Sequence, residues 1–246
     1  MTRRSIVALS VTACAAAFVT PTLAGPQWIE GSAGLLPDAG SVPSSAQGPF
    51  DALGSPGSPT PLAGITGSLF VNPDGVSGDL EDMYKIRIRN PLAFRASTFV
   101  DGAPADTTFD SEIFLFRADG RGLLANDDAM IGERGSSIAQ PATDGTGQTI
   151  PGPGLYFVAV AFRARVPVNA VGDPLFSPSS PTEVSGPDGP GGAFPIDSWI
   201  GAPQGRGFTE PGQYQYTIHF EGAFFPTPGA ASLFIAAGVG AMRRRR

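Results

Sequence analysis

The chain of 246 residues holds 33 Gly and 25 Pro, too many for a helical protein, because Gly raises the entropic cost of ordering a helix and Pro removes a donor. Its net charge of −6 conceals a more acidic body: apart from Arg3, Arg4 and the four terminal arginines, 10 basic residues face 22 acids, a balance of −12 that argues against nucleic acid as a partner. The single Cys14 lies in a targeting segment, which excludes a disulfide framework, a Cys-based zinc site and a Cys nucleophile from the mature protein.

Residues 1–24 carry Arg3 and Arg4, an apolar stretch over 6–18, a Pro21 break, and small or polar residues up to Ala24, with Gly25 next. That is the order of a secretory signal peptide cut between Ala24 and Gly25, and its helix is too short to span a bilayer comfortably, which takes about 20 residues. Residues 25–61 are rich in Gly, Pro, Ser and Ala and show neither a strand nor a helix period. They read as a linker, with Trp28 and Ile29 tucked against the domain as the alternative.

Strand signals fill residues 62–223. A short strand over 65–71 precedes an Asn72-Pro73-Asp74-Gly75 turn. Tyr84, Ile86 and Ile88 then alternate with Lys85, Arg87 and Arg89, as in a half-buried antiparallel strand. Residues 93–100 are a weaker candidate. The stretch over 112–118, with Ile113, Phe114, Leu115 and Phe116, is apolar on both faces and leads through Asp119-Gly120, read as a type I′ hairpin, into 123–125. Residues 155–162 are again apolar on both faces, as a strand packed between two layers would be, and 213–221 place Tyr214, Tyr216, Ile218 and Phe220 inward. Between them, residues 167–211 are dominated by Pro, Gly and Ser and read as a loosely held excursion with Trp199 pinned on the surface.

The last segment, 224–246, opens with Phe224 and Phe225, then breaks at Pro226, Thr227, Pro228 and Gly229. It continues as an apolar run over 230–242 and ends in Arg243, Arg244, Arg245 and Arg246. Arginines hard against an apolar run suit a single membrane-spanning helix with a cytoplasmic stop better than a soluble core. The order of Pro motif, apolar helix and arginine cluster resembles the PEP-CTERM sorting signal, with Pro-Thr-Pro standing where the namesake has Pro-Glu-Pro. The resemblance implies export to the envelope or beyond, processing by an exosortase-like enzyme, and association with exopolysaccharide. The body is similar, in the order of GDLEDMYKIRI, TFDSEIFLFRADGRGLLANDD, GPGLYFVAV and QYQYTIHF, to the bacterial pre-peptidase C-terminal domain. That likeness implies an antiparallel β-sandwich of jelly-roll character.

Chemistry is sparse. The only histidine, His219, falls on the polar side of the last strand, so a hydrolytic triad and a zinc site both lack ligands. Calcium is the better candidate, since it takes hard oxygens in irregular loops. Asp79 and Asp82 lead into one strand, Asp110 into another, and Asp127 and Asp128 follow the hairpin; loops at one end of a sandwich can bring such residues together. The bland alternative is that these acids are turn formers. Trp199 is the candidate for stacking on sugar. The expectation is an exported, non-catalytic binding or structural module of the cell envelope or extracellular matrix, handled by the export machinery. An accessory domain or cryptic hydrolase acting on extracellular polysaccharide or protein is the competing class.

Overall fold

The computed structural model describes residues 26–31, 38–49, 60–99, 107–205 and 211–226. The signal peptide with its Ala24–Gly25 junction, Thr227, Pro228 and Gly229, the apolar tail and the terminal arginines lie outside them. Among the described residues no helix is long and apolar enough to cross a membrane.

In chain order the strands are β1 (Gln27–Ile29), β2 (Gly64–Val71), β3 (Gly78–Asp79), β4 (Glu81–Ile88), β5 (Arg95–Ser97), β6 (Ser111–Arg117), β7 (Gly122–Asn126), β8 (Ser137–Ala139), β9 (Gly154–Phe162), β10 (Val166–Val168), β11 (Ser198–Ile200), β12 (Gly212–Glu221) and β13 (Ala223–Phe224). The fold is all-β and, apart from the parallel pair β1–β2, every strand pair is antiparallel. One sheet runs β1-β2-β12-β5-β8 with β3 attached to β2, and the other runs β13-β4-β9-β6-β7.

Period-2 alternation explains how the two sheets meet. Ile65, Leu69, Tyr216 and Ile218 from the first sheet and Tyr84, Ile86, Leu115, Val158 and Val160 from the second are buried in one shared core. Burying such side chains contributes about 1.5–3 kcal/mol each, so the alternation itself fixes register: a slip by one residue would turn every one of them outward. The strands apolar on both faces have a second layer to satisfy. Phe114, Phe116, Phe157 and Ala159 face away from the shared core and are covered by Leu175, Phe176, Ile196 and Trp199. Gly122 lets the cover close: a Cβ there would stand 2.7 Å from the Phe176 ring.

Four expectations need correction. The described residues of the excursion, up to 205, are not loosely held. They form the β10–β11 ribbon, exchange backbone hydrogen bonds between Ser185 and Ala125, and shield the outer face of the second sheet. The described residues of the supposed linker belong to the body as well. Trp28 is buried on β1 and donates its indole N–H to Gln47 Oε1 at 2.8 Å, while Gln47 brackets Met83 and Lys85 by backbone hydrogen bonds. Phe224 and Phe225 are not part of the tail, since Phe224 pairs with Arg87 and Phe225 is buried in the shared core. Finally, the Asp119-Gly120 hairpin is not type I′, which needs positive φ at both central residues. Only Gly120 has it, at 84°, with its N–H on Arg117 O at 2.9 Å, and the ladder shifts register between Leu115 and Phe116 to absorb the extra residue.

Candidate cation site and a second acidic cluster

The five acids singled out in the sequence do not form one site. β4 and β6 both begin at the end of the sheet where β9 finishes, but β9 stands between them and divides the acids into two groups.

The first group is built around Asp82. Its place on the inward face of β4 is set by the same alternation that buries Tyr84, so a carboxylate enters the core with no exposed surface. Tyr216 donates its hydroxyl to Asp82 Oδ2 at 2.5 Å, and the Tyr84 and Tyr216 hydroxyls are 2.6 Å apart. Asp82 Oδ1 is buried with no hydrogen-bond partner. An orphaned buried acceptor of this kind is costly to maintain, roughly 1–3 kcal/mol and more for a charged group.

What faces Asp82 is more carboxylate. Oxygens of Glu30, Asp38 and Asp82 lie within 4.8 Å of one another, graded from exposed Asp38 at the mouth to buried Asp82 at the base. Glu30 follows β1 directly and is oriented by two backbone amides, Ala39 N–H to Oε1 at 2.8 Å and Ser68 N–H to Oε2 at 3.0 Å. Gly67 leaves the space, since a Cβ there would collide with the Tyr216 hydroxyl and approach Glu30 Oε2 to 2.7 Å. Asp79, on β3, adjoins the group. Burial, then Asp38, Glu30 and Glu81, push its carboxyl up to about 8. Burial likewise raises Glu30, and burial with Asp79 and Glu30 raises Asp82 well above the usual carboxylate range. Among the described residues no Lys or Arg forms an ion pair with any of these four acids. The nearest neutralised acid is Glu81, which accepts from Arg165 Nε at 3.0 Å and Nη2 at 3.2 Å.

The second group, Asp110, Asp127 and Asp128, also has carboxylate oxygens within 4.8 Å of one another, but it contains its own cation. Arg163 Nε lies 3.2 Å from Asp127 and Nη1 lies 3.5 Å from Asp110, whose side chain is only 1% exposed. Asp127 above all raises the Arg163 guanidinium. Alongside is a cavity of about 70 Å³ lined by Glu112, Phe114, Asp127, Arg165 and Phe176. Burial, then Asp127, raises the Glu112 carboxyl well above its ordinary value.

Trp199 is not available for stacking on sugar. It is 9% exposed, its indole N–H donates to Ser41 O at 2.7 Å, and its ring meets Phe114 edge-on at 5.1 Å. His219 sits half-buried on β12 opposite Ser97 and Gly64. Pro226 is the one sorting-motif residue described, directly after the last buried phenylalanine.

Sequence reasoning missed Glu30, Asp38 and the two tyrosine hydroxyls. The available signal was Trp28-Ile29-Glu30, a short apolar pair that could dock and so carry an acid with it. No family model, curated protein or solved structure matches this chain.

Proposed function

We propose that this is an exported, non-catalytic β-sandwich of jelly-roll character that binds calcium between its N-terminal segment and its two sheets, and that serves as a binding or structural module of the cell envelope or extracellular matrix. The observation carrying the cation is Asp82 Oδ1, buried and unpartnered at the base of the Glu30, Asp38 and Asp82 carboxylates with Asp79 adjoining, a group to which no basic residue is paired among the described residues. Hard oxygens in irregular geometry suit calcium, which completes its shell of six to eight with water, and among the described residues neither histidine nor cysteine joins the group to favour zinc. Glu30, Asp38, Asp79 and Asp82 hold the ion, and Tyr216 fixes the second oxygen of Asp82 by hydrogen bonding. Bound there, calcium supplies the positive charge the site lacks and ties β1 and the 38–49 segment to β4.

Export is supported by the order of signals in the sequence: a basic then apolar leader, and a PEP-CTERM-like tail that begins where the buried phenylalanines stop. Extracellular modules bind calcium at about 10⁻⁴–10⁻³ M, a range that functions outside the cytoplasm. On this reading the tail anchors the protein for an exosortase-like enzyme, and exopolysaccharide is its surrounding medium.

Thermal melts of the purified chain with millimolar calcium and with chelator test the site. Calcium at about 10 times its dissociation constant adds about 1.4 kcal/mol, a rise of roughly 3–6 °C for a domain this size. Limited proteolysis should then cut the 26–49 segment only in chelator. Identical melts and identical digests would remove calcium from the account.

A further inference from the structure

β4 is charged oppositely along its length. It begins at Glu81 and Asp82 and ends among bases: Lys85 and Arg87 on the outer face and Arg89 just past the strand, about 23 Å beyond Asp82 at roughly 3.3 Å per residue. The Lys85 ammonium lies 5.7 Å over the Phe157 ring, and the Arg89 guanidinium lies 5.3 Å over Phe224. Among the described residues none of these three bases forms an ion pair, in a body with a balance of −12. Arg95 is held only at 3.7 Å by Glu221, with both side chains mostly exposed.

Apolar side chains stand out beside them. Leu92 is 88% exposed and Leu155 40%. Leu92 is held in that position, because it rides on the 3₁₀ turn Pro91–Ala93, whose start is capped by Asn90 Oδ1 accepting the Leu92 N–H at 3.2 Å. The chain also leaves the sheet here: Phe224 pairs with Arg87, and the apolar run over 230–242 begins a few residues later.

We infer that this basic end is a docking surface for anionic phospholipid headgroups. Lys85, Arg87 and Arg89 take the phosphates, and Leu92 enters the headgroup boundary. Each base near an anionic surface strengthens binding about fivefold, whereas the acidic remainder of the body is repelled. The rings hold Lys85 and Arg89 by their π-faces, which take up none of their N–H donors. The acid site lies at the far end of β4, pointing away from the bilayer. The inference rests on the reading of the tail as a membrane anchor, which brings this surface to the lipid.

Flotation of the full chain on vesicles of phosphatidylcholine alone, or mixed with phosphatidylglycerol, at low and high salt, tests it. The native chain should float on both through its tail and partition about 100-fold more strongly onto the anionic vesicles at low salt. A Lys85→Ala/Arg87→Ala/Arg89→Ala variant should keep neutral binding and lose that enhancement. Leu92→Asp, at an exposed position with no packing to lose, should lower it several-fold. Equal partition on the two vesicle types, or an enhancement retained in the triple variant, overturns the inference. So does a triple variant that loses polygalacturonate binding while vesicle binding shows no lipid dependence, which would assign the patch to acidic glycan. Failure to float on neutral vesicles with the anionic enhancement intact would sink the tail reading and leave the surface supported.

Discussion

The two acidic clusters gather carboxylates at the starts of β4 and β6, one on either side of β9, and solve their repulsion in different ways. Asp110 and Asp127 have Arg163 between them, supplied by the chain just after β9. Among the described residues Glu30, Asp38, Asp79 and Asp82 have no such base, and Asp82 keeps a buried oxygen unpartnered. The difference shows that an acidic cluster becomes a candidate ion site through the missing counter-charge, and not through the number of its carboxylates. A group that already holds a guanidinium has less to offer a metal.

The largest effect is expected from exchanging the roles of the two clusters. Arg163→Gln removes the guanidinium that Asp110 and Asp127 share and should cost about 2–3 kcal/mol, below the full cost of breaking a buried pair because the arginine is partly exposed. Its melt should also gain a second calcium-dependent increment. A variant that loses stability and shows no added calcium response would mean that geometry, and not charge, separates the clusters.

Gly67→Ala comes next. The added methyl meets Glu30 and Tyr216, so about 1–2 kcal/mol of stability should go, together with the calcium-induced shift, while the Arg163 cluster is untouched. Calorimetric titration with calcium reads the second effect directly.

A smaller signal is the pH dependence of the metal-free chain. Asp79 titrates near 8 in the folded protein against 3.8 as its ordinary value, so its proton favours the folded state. That contribution is fully present below about pH 4 and is lost as pH rises toward 8. In chelator the melting temperature should therefore fall by a few degrees between pH 5 and pH 8, discounted for the partial exposure of Asp79. Calcium should abolish or reverse the slope. A metal-free chain most stable at pH 8 would contradict the assignment.

The smallest change in the metal-free chain is expected from Asp82→Asn. Asp82 is already held toward its neutral form, so the amide should alter the metal-free melt by under about 1 kcal/mol while removing the calcium response. Together these variants separate loss of the ion from loss of the fold.

How much of this could be seen beforehand followed from whether a local pattern existed. β4, β6, β9 and β12 were legible because alternation is a property of neighbouring residues, and the doubly apolar strands announced a second layer. The layer itself was not legible: Leu175, Phe176, Ile196 and Trp199 are spread through Pro/Gly-rich sequence with no period, and only the apolar outer face of the sheet selects them. Asp79 and Asp82 were visible as candidates. Their true partners were not, because Glu30 and Asp38 come from a segment that carries no strand pattern and docks through Trp28. The hairpin type was missed for a simpler reason: Asp-Gly permits positive φ at both residues, but only Gly120 uses it.

The order of the first sheet carries a kinetic consequence. β12 lies between β2 and β5, and its Thr217 meets Thr66 across 151 positions of chain. Synthesis proceeds from the amino end, so a slot stays open in the middle of that layer until nearly the whole polypeptide has been made. Closing so distant a contact is slow. The first sheet is therefore completed only when the last long strand has been made and slides into place between β2 and β5.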